Sequence, residues 1–163
     1  MDKQQQEQQE QQQEQQQQLQ QEQQQLQQQQ LQQNNNNPLK TEKNIITHLP
    51  NVEAFYHILH HNPGLVIIKF TADWCAPCKR IKPAVDAFFC KSPSNVICMS
   101  LKIEENVEVY MYMKRKRMLS GVPSLLMYKK GNKSYVCDES VVGSELSELK
   151  RFMTVCGRLS SAF

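Results

Sequence analysis

Apolar residues beyond position 43 follow two different periods, which predict alternating strands and helices. The run 64–71 is apolar and β-branched except for Lys69, as expected of a strand buried on both faces of a sheet. Residues 95–101 show the same pattern and predict a second, parallel strand. Apolar residues elsewhere recur at helical spacing, which predicts helices over 51–61, 75–89, 105–118 and 145–156.

The end of the chain predicts a different kind of connection. Residues 124–128 and 133–137 lie on either side of Lys130-Gly131-Asn132, which predicts a hairpin. A shorter apolar run at 44–47 is a candidate edge strand, and Asn51 is placed to cap the first helix. Strand–helix alternation followed by a hairpin predicts an α/β fold with a mixed central sheet and helices on both faces.

The first 43 residues have a composition that cannot build a core. Glutamine dominates, an asparagine run follows, and the few apolar residues are widely spaced. We therefore predict a low-complexity, disordered tail over 1–43 and one folded domain over 44–163. Leu19 and Leu26 lie seven residues apart, so a short coiled coil is the alternative for the tail.

Two cysteines separated by two residues give the strongest chemical signal in the chain. Cys75 follows the first predicted strand and begins the second predicted helix, where backbone N–H groups and the helix dipole stabilise a thiolate. Cys78 lies one turn further along the same helix face, within reach of the Cys75 sulfur. Pro77 falls in the first turn, where its missing N–H costs little. This arrangement predicts thiol–disulfide exchange, with Cys75 attacking and Cys78 resolving.

The same pair is also compatible with half a zinc site or with two unrelated buried thiols. A zinc site needs a second close pair of ligands. The other cysteines stand singly, and the histidines do not have zinc-finger spacing. These residues are Cys90, Cys98, Cys137, Cys156, His48, His57, His60 and His61. We therefore predict a redox pair and no metal.

Charge and hydropathy narrow the possible partners. Residues 1–43 hold three lysines and six acidic residues, so the rest of the chain carries a net charge of +6 against +3 for the whole. That is basic, but short of a nucleic-acid-binding composition. The one concentrated patch is 114–117 (Lys-Arg-Lys-Arg), either an exposed helix end or a docking patch for acidic partners. No apolar run has the length of a membrane span, and no secretory signal is visible at the start.

Two segments resemble the signatures of the thioredoxin family. Residues 70–83 (Phe-Thr-Ala-Asp-Trp-Cys-Ala-Pro-Cys-Lys-Arg-Ile-Lys-Pro) are similar to the family's active-site segment. Residues 121–131 (Gly-Val-Pro-Ser-Leu-Leu-Met-Tyr-Lys-Lys-Gly) are similar to its second signature, a cis-proline followed by a strand and a glycine turn. Val142-Gly143 resembles the final strand–helix step of the family. The resemblance covers residues 44–158 and implies the thioredoxin fold.

The resemblance also implies roles for the residues around the pair. It implies that Trp74 shields the site and that Pro83 kinks the helix that Cys75 begins. It further implies that Pro123 is cis, which leaves the backbone of Val122 free to pair with an extended substrate strand.

The chain departs from the family pattern beneath the predicted active site. Lys69 stands where thioredoxins usually carry a buried aspartate, and Ser100 corresponds to that aspartate's usual lysine partner, so the family's proton relay is not implied here. A lysine at this depth either snorkels to solvent, becomes neutral or lowers the pKa of a nearby thiol. Ala76 replaces the common glycine between the cysteines, and the stretch 103–123 is a few residues longer than usual.

Together these features predict a thioredoxin-like dithiol–disulfide oxidoreductase that reduces protein disulfides and needs no cofactor. Its expected partners are disulfide-containing proteins and a reductant, either a thioredoxin-reductase-like enzyme or a glutathione-linked one. We expect a monomer without nucleic-acid or membrane partners, in the cytoplasm or another reducing compartment.

Two alternatives remain for the function. One is a more oxidising isomerase or oxidase, tuned by Lys69 and Ala76. The other is a thioredoxin-fold binding module in which the dithiol is incidental. An intact cysteine pair at a helix start favours the enzyme, because a binding module does not need a nucleophile there.

Overall fold

A computed structural model of the 163-residue chain describes residues 20–21 and 44–162. Gln20 and Gln21 are helical and exposed, and the remaining predictions for the tail lie outside the described residues. Residues 44–162 contain four helices and four strands; helices and strands alternate as far as the third strand, which forms a hairpin with the fourth, and a helix comes last. They are α1 (Val52–His60), β1 (Leu65–Thr71), α2 (Ala76–Lys91), β2 (Val96–Lys102), α3 (Val107–Arg115), β3 (Ser124–Lys129), β4 (Glu139–Val142) and α4 (Leu146–Ser160).

The four strands form one mixed sheet in the order β2-β1-β3-β4, which confirms the predicted architecture. β1 pairs with β2 in parallel, so that Lys69 lies opposite Ser100, and with β3 in antiparallel. The predicted edge strand at 44–47 is reduced to a single bridge between Ile46 and Met99. Side chains alternate between the two faces along β1, so each face receives every second residue.

This alternation along β1 builds two separate cores. Val66, Ile68 and Phe70 face one side of the sheet and pack in a cluster with buried residues of α1 and α3. Leu65 and Ile67 face the other side and pack with buried residues of α2 and α4. The helices therefore cover both faces, as predicted. Lys69 falls on the second face by the same alternation, which places it beneath α2.

The helix ends follow from local hydrogen bonds. Asn51 caps α1 as predicted, because its Oδ1 accepts the Ala54 N–H at 2.8 Å. α3 ends at Arg115, three residues before the predicted end, since Arg117 adopts a left-handed conformation with φ of 59°. The Met118 N–H then bonds back to Met113 O at 2.9 Å, which closes the helix. None of the helices in the described residues is long and apolar enough to cross a bilayer.

The second strand of the predicted hairpin was wrong, because the strand that pairs with β3 is 139–142 and not 133–137. The intervening loop is held by polar side chains that bond to the backbone in place of a strand ladder. Asn132 donates to Val136 O at 3.0 Å and to Asp138 Oδ2 at 2.7 Å. Asp138 Oδ2 also accepts the Lys129 N–H at 2.8 Å, and backbone pairing with β3 begins at Asp138, whose N–H donates to Met127 O at 2.8 Å.

Candidate active site

The cysteine pair lies where β1 gives way to α2, as the sequence predicted. Cys75 is the N-cap of α2, and its Sγ accepts the Cys78 N–H at 3.2 Å. The two residues form a disulfide, with their Cα atoms 5.2 Å apart. Pro77 lies in the first turn of the helix. Backbone N–H groups in that turn have no acceptor within the helix, so the missing N–H of proline costs no hydrogen bond. The helix start therefore offers a backbone donor to the Cys75 sulfur.

A loop after α3 brings the second signature to the same place. The Val122–Pro123 peptide is cis, as the resemblance implied. Val122 O lies 3.6 Å from Cys75 Sγ, so this carbonyl is positioned to accept a hydrogen bond from the Cys75 thiol in the reduced protein. The Gly143 N–H donates to Pro123 O at 2.8 Å and ties the loop to the start of the α4 segment.

The side chains around the disulfide differ sharply in exposure. Cys75 and Cys78 are buried, at 4% and 2% exposed, whereas Trp74 is 70% exposed. The indole of Trp74 is therefore a large apolar surface beside the disulfide. The two cysteines are therefore almost equally buried, and they differ in that Cys75 occupies the helix start.

Lys69 lies beneath α2 and is only 2% exposed. Its Nζ is 3.7 Å from Oδ1 of Asp86, whose other oxygen contacts Lys82 Nζ. Burial lowers the pKa of Lys69; the charge of Asp86 opposes this shift and that of Lys82 adds to it. Asp86 was not among the residues predicted from the sequence. The available signal was a single acidic residue in an otherwise basic helix packed over a strand that holds a lysine.

A cleft of about 340 Å³ opens beside the pair and contains both Cys78 and Lys69. Lys102 Nζ lies 3.0 Å from Asp73 and 3.6 Å from Glu105, so these three charges compensate one another. The other residues lining the cleft are Thr47, Thr71, Ala72, Lys79, Lys82 and Ser100. Cys78 and the buried Lys69 thus line the same cleft.

Two of the other thiols, Cys137 and Cys156, lie in environments that suppress reactivity. Burial raises the pKa of Cys156 to about 12, and burial also raises the pKa of Cys137. A thiol that stays protonated is a poor nucleophile, so neither matches the helix-start position of Cys75. Among the described residues, no three His, Cys, Asp or Glu side chains gather into a metal site.

Comparison with known proteins agrees with this geometry. The family model for thioredoxin matches residues 46–155. The chain belongs to the thioredoxin family. Thioredoxin-2 of Saccharomyces cerevisiae is 28% identical over 107 residues, which cover 66% of this chain and 94% of the yeast protein. Mouse thioredoxin is 36% identical over 69 residues, covering 42% and 61% of the two chains.

A solved structure supports the fold independently. Trichomonas vaginalis thioredoxin superposes with a TM-score of 0.57 over 71% of this chain and 99% of its own, at 22% identity. The family membership and the Cys75–Cys78 disulfide establish the protein as a dithiol–disulfide oxidoreductase. The predicted family, fold and type of activity are confirmed, and the roles of single residues stay predictions.

Proposed function

We propose that this protein reduces disulfides in other proteins, with Cys75 as the attacking thiol and Cys78 as the resolving thiol. The supporting observation is the position of Cys75 at the N-cap of α2, where its sulfur already accepts the Cys78 N–H. A thiolate at that point gains the same hydrogen bond and the favourable helix dipole, whereas Cys78 lies within the first turn.

The reaction has two exchange steps. The Cys75 thiolate attacks one sulfur of the substrate disulfide, the substrate S–S bond breaks, and a mixed disulfide with Cys75 forms. Cys78 then gives its proton to solvent and attacks the Cys75 sulfur, so that the bond between Cys75 and the substrate breaks and the Cys75–Cys78 disulfide forms. The two substrate thiolates, one released in each step, take up protons from solvent. The dithiol of the protein is oxidised and the substrate disulfide is reduced, with two electrons transferred.

Substrates bind beside the disulfide, in this proposal, through Val122, Trp74 and the prolines. An extended substrate segment pairs with the backbone of Val122, which the cis Pro123 leaves facing Cys75. The exposed indole of Trp74 supplies apolar contact area next to the reacting sulfur. Pro77 keeps the first turn of α2 free of a backbone donor that would need a partner.

The reducing direction requires an electron donor. We assign this role to a thioredoxin-reductase-like enzyme or to a glutathione-linked reductant, which returns the Cys75–Cys78 disulfide to the dithiol. The protein then works as a monomer in the cytoplasm or another reducing compartment, where such donors keep thiols reduced.

One observation favours a second candidate, a more oxidising isomerase or oxidase. Lys69 is buried in the cleft that holds Cys78. A cation there stabilises the thiolate and hence the reduced form, which makes the pair a stronger oxidant. The reduction potential against glutathione separates the two candidates: a value near that of the cytosolic reductases favours reduction, and a value well above it favours isomerisation.

We also propose that residues 44–163 form the functional domain without help from residues 1–43. The family match to 46–155 supports this division. A chain lacking residues 1–40 should keep its dithiol activity and its thermal midpoint. A fall in the midpoint of more than about 4–8 °C, equivalent to about 1 kcal/mol in a small domain, would contradict the proposal. A change in oligomeric state would instead support a coiled coil through Leu19 and Leu26.

Two variants test the assigned roles in an insulin-reduction assay. Cys78→Ser should accumulate substrates as mixed disulfides on Cys75, because the resolving thiol is missing. Cys75→Ser should neither turn over nor trap substrate. Cys90→Ser is the matched control, since its thiol is exposed and outside the site. Equal rates for the wild type and both active-site variants would eliminate the proposal.

Limited alkylation near neutral pH tests the order of reaction directly. The reduced protein should be labelled first at Cys75, because the helix start favours its thiolate. Mass-spectrometric mapping identifies the labelled residue, and preferential labelling of Cys78 or Cys90 would refute the assignment.

A further inference from the structure

The charge on Lys69 depends on a single carboxylate. Lys69 is 2% exposed, and among the described residues only Asp86 lies within ion-pair distance of it. The separation of 3.7 Å between Nζ and Oδ1 exceeds the length of a good hydrogen bond, so the pairing is incomplete. Because burial opposes a charge that is not fully paired, the protonation of Lys69 is sensitive to whatever else Asp86 binds.

Asp86 is divided between two lysines on different elements. One oxygen faces Lys69 from α2, and the other contacts Lys82, one helical turn before it. Lys82 is 65% exposed and Asp86 is 37% exposed, so this pair lies between the solvent and the buried Lys69. Lys82 therefore competes with Lys69 for the same carboxylate.

The remaining charges around the cleft do not take part in this competition. Asp73, Lys102 and Glu105 compensate one another at 3.0 and 3.6 Å. Lys79 lines the cleft as well, and no carboxylate of the described residues lies within ion-pair distance of it. Cys78 is the redox group in the cleft. Asp86 is therefore the carboxylate of the described residues that can pair with Lys69.

We propose that Asp86 is a positioning residue that holds the positive charge of Lys69 beside Cys78, in competition with Lys82, and thereby sets the reduction potential of the Cys75–Cys78 pair. The proposal rests on the proposed role of this pair as the redox centre. A charged Lys69 stabilises the thiolate of the reduced form, so the pair becomes more oxidising. Consistent with this, burial lowers the pKa of Lys69, Asp86 opposes the shift and Lys82 adds to it.

The direction in which the reduction potential shifts distinguishes two ways in which Asp86 could act on the cysteine pair: through the charge of Lys69, or directly on the thiolate. Acting directly, Asp86 repels a thiolate, so its removal would make the pair more oxidising. Acting through Lys69, its removal leaves the lysine neutral and makes the pair more reducing. For Lys82 both signs are reversed, because its removal frees Asp86 for Lys69. The two mechanisms therefore predict opposite shifts for the same two variants.

The first measurement is the titration of Lys69 by NMR of its side chain in the oxidised protein, where Cys75 and Cys78 do not titrate. The wild-type midpoint should lie below the ordinary value of 10.5. Asp86→Asn should lower it by about half a pH unit or more, and Lys82→Met should raise it by a similar amount. Lys79→Met is the matched control, since it removes the same charge from the same cleft without freeing Asp86. Its exposed charge is screened, so the midpoint should move by less than about 0.2 unit.

The second measurement is the equilibrium with glutathione at the pH of the wild-type Lys69 midpoint. Asp86→Asn should shift the equilibrium constant about threefold towards the reducing side, and Lys82→Met about threefold towards the oxidising side, or ~14 mV each. Lys79→Met should shift it towards the reducing side, opposite to Lys82→Met. Unmoved midpoints in the Asp86 and Lys82 variants, or shifts with the direct Coulomb signs, would overturn the proposal.

Lys69→Met distinguishes a failure of this inference from a failure of the proposed function. Suppose that Lys69→Met changes the reduction potential, while the Asp86 and Lys82 variants leave the titration midpoint of Lys69 unmoved. Lys69 then tunes the cysteine pair, and only the role proposed for Asp86 is wrong. If Lys69→Met leaves the potential unchanged, the inference fails at its base. If insulin reduction does not depend on Cys75, the redox function itself fails.

Discussion

The domain contains one buried cation, Lys69, and one group of exposed cations, Lys114–Arg117. Lys69 is buried under α2, with a shared carboxylate 3.7 Å away. The stretch Lys114–Arg117 at the end of α3 is exposed, and none of its four charges is within ion-pair distance of a carboxylate in the described residues. One lysine lines the cleft that also contains Cys78, and four cations lie at a helix end that favours positive charge.

The basic stretch is stabilised by aromatic rings as well as by water. Lys116 Nζ lies 4.9 Å from the ring centre of Tyr135 and 5.7 Å from that of Tyr112. Lys114 lies 5.7 Å from the ring centre of Tyr110. These contacts favour the interpretation of the stretch as an exposed helix end. The comparison shows that the number of charges does not predict their chemical effect, because water screens the exposed group and not the buried one.

The largest expected effect is on the reduction potential, and it comes from reversing the charge of the buried Lys69. Lys69→Asp replaces a cation beside Cys78 by an anion, which destabilises the thiolate and hence the reduced form. The potential should become more negative by about 30 mV or more, equivalent to about 1.4 kcal/mol for this two-electron couple. Glutathione equilibration measures the shift, and the pKa of at least one thiol should rise.

Lys116→Asp is the matched control for that experiment, because it makes the same change of charge at the exposed helix end. Its potential should stay within about 10 mV of the wild type, since an exposed charge is screened over a Debye length. Equal shifts in the two variants would show that net charge, and not burial, tunes the pair. An unchanged potential in Lys69→Asp would mean that the lysine does not act on the thiols.

The features that were predictable from the sequence depend on local periodicity. The buried run 64–71, the helical spacing after Cys75 and the cap at Asn51 are all encoded within a few residues, and the structure reproduces them within two residues or so. The disulfide pair followed from the same local information, because a helix start and its first turn are adjacent in sequence.

The features that were missed depend on contacts between distant residues. β4 was misplaced because Asn132 bonds to the backbone of the loop and Asp138 to the end of β3, and no periodic pattern shows which polar residues will do so. Asp86 was missed because its significance comes from Lys69, on another element. The burial of Lys69 was predictable from the apolar run around it, but its ion-pair partner Asp86 was not.

The next effect in size concerns stability, again at Lys69. Lys69→Met replaces an incompletely paired buried cation by an apolar side chain of similar length, so the free energy of unfolding at neutral pH should rise by about 1 kcal/mol. Thermal unfolding should show this as a midpoint higher by about 4 °C. A lower midpoint would mean that the pairing with Asp86 more than offsets the cost of burial.

The pH dependence of that stability follows from the lowered pKa of Lys69. Between the folded-state pKa and 10.5 the unfolded chain binds more protons at this residue than the folded one. The stability of the wild type therefore has a component that rises with pH in that window, and Lys69→Met should lack it. Denaturant unfolding of both proteins at neutral pH and near pH 10 measures the difference, which should shrink at the higher pH.

The smallest expected effect comes from the exposed group. Lys116→Met removes a cation that lies over the rings of Tyr112 and Tyr135, a contact worth about 0.5 kcal/mol at an exposed site. The thermal midpoint should fall by about 2 °C, and Lys114→Met, which has one ring contact, should change it less. Insulin reduction and the reduction potential should match the wild type in both variants. A loss of turnover confined to acidic protein substrates would instead identify the stretch as a docking patch, and the two cationic regions would then both act on function.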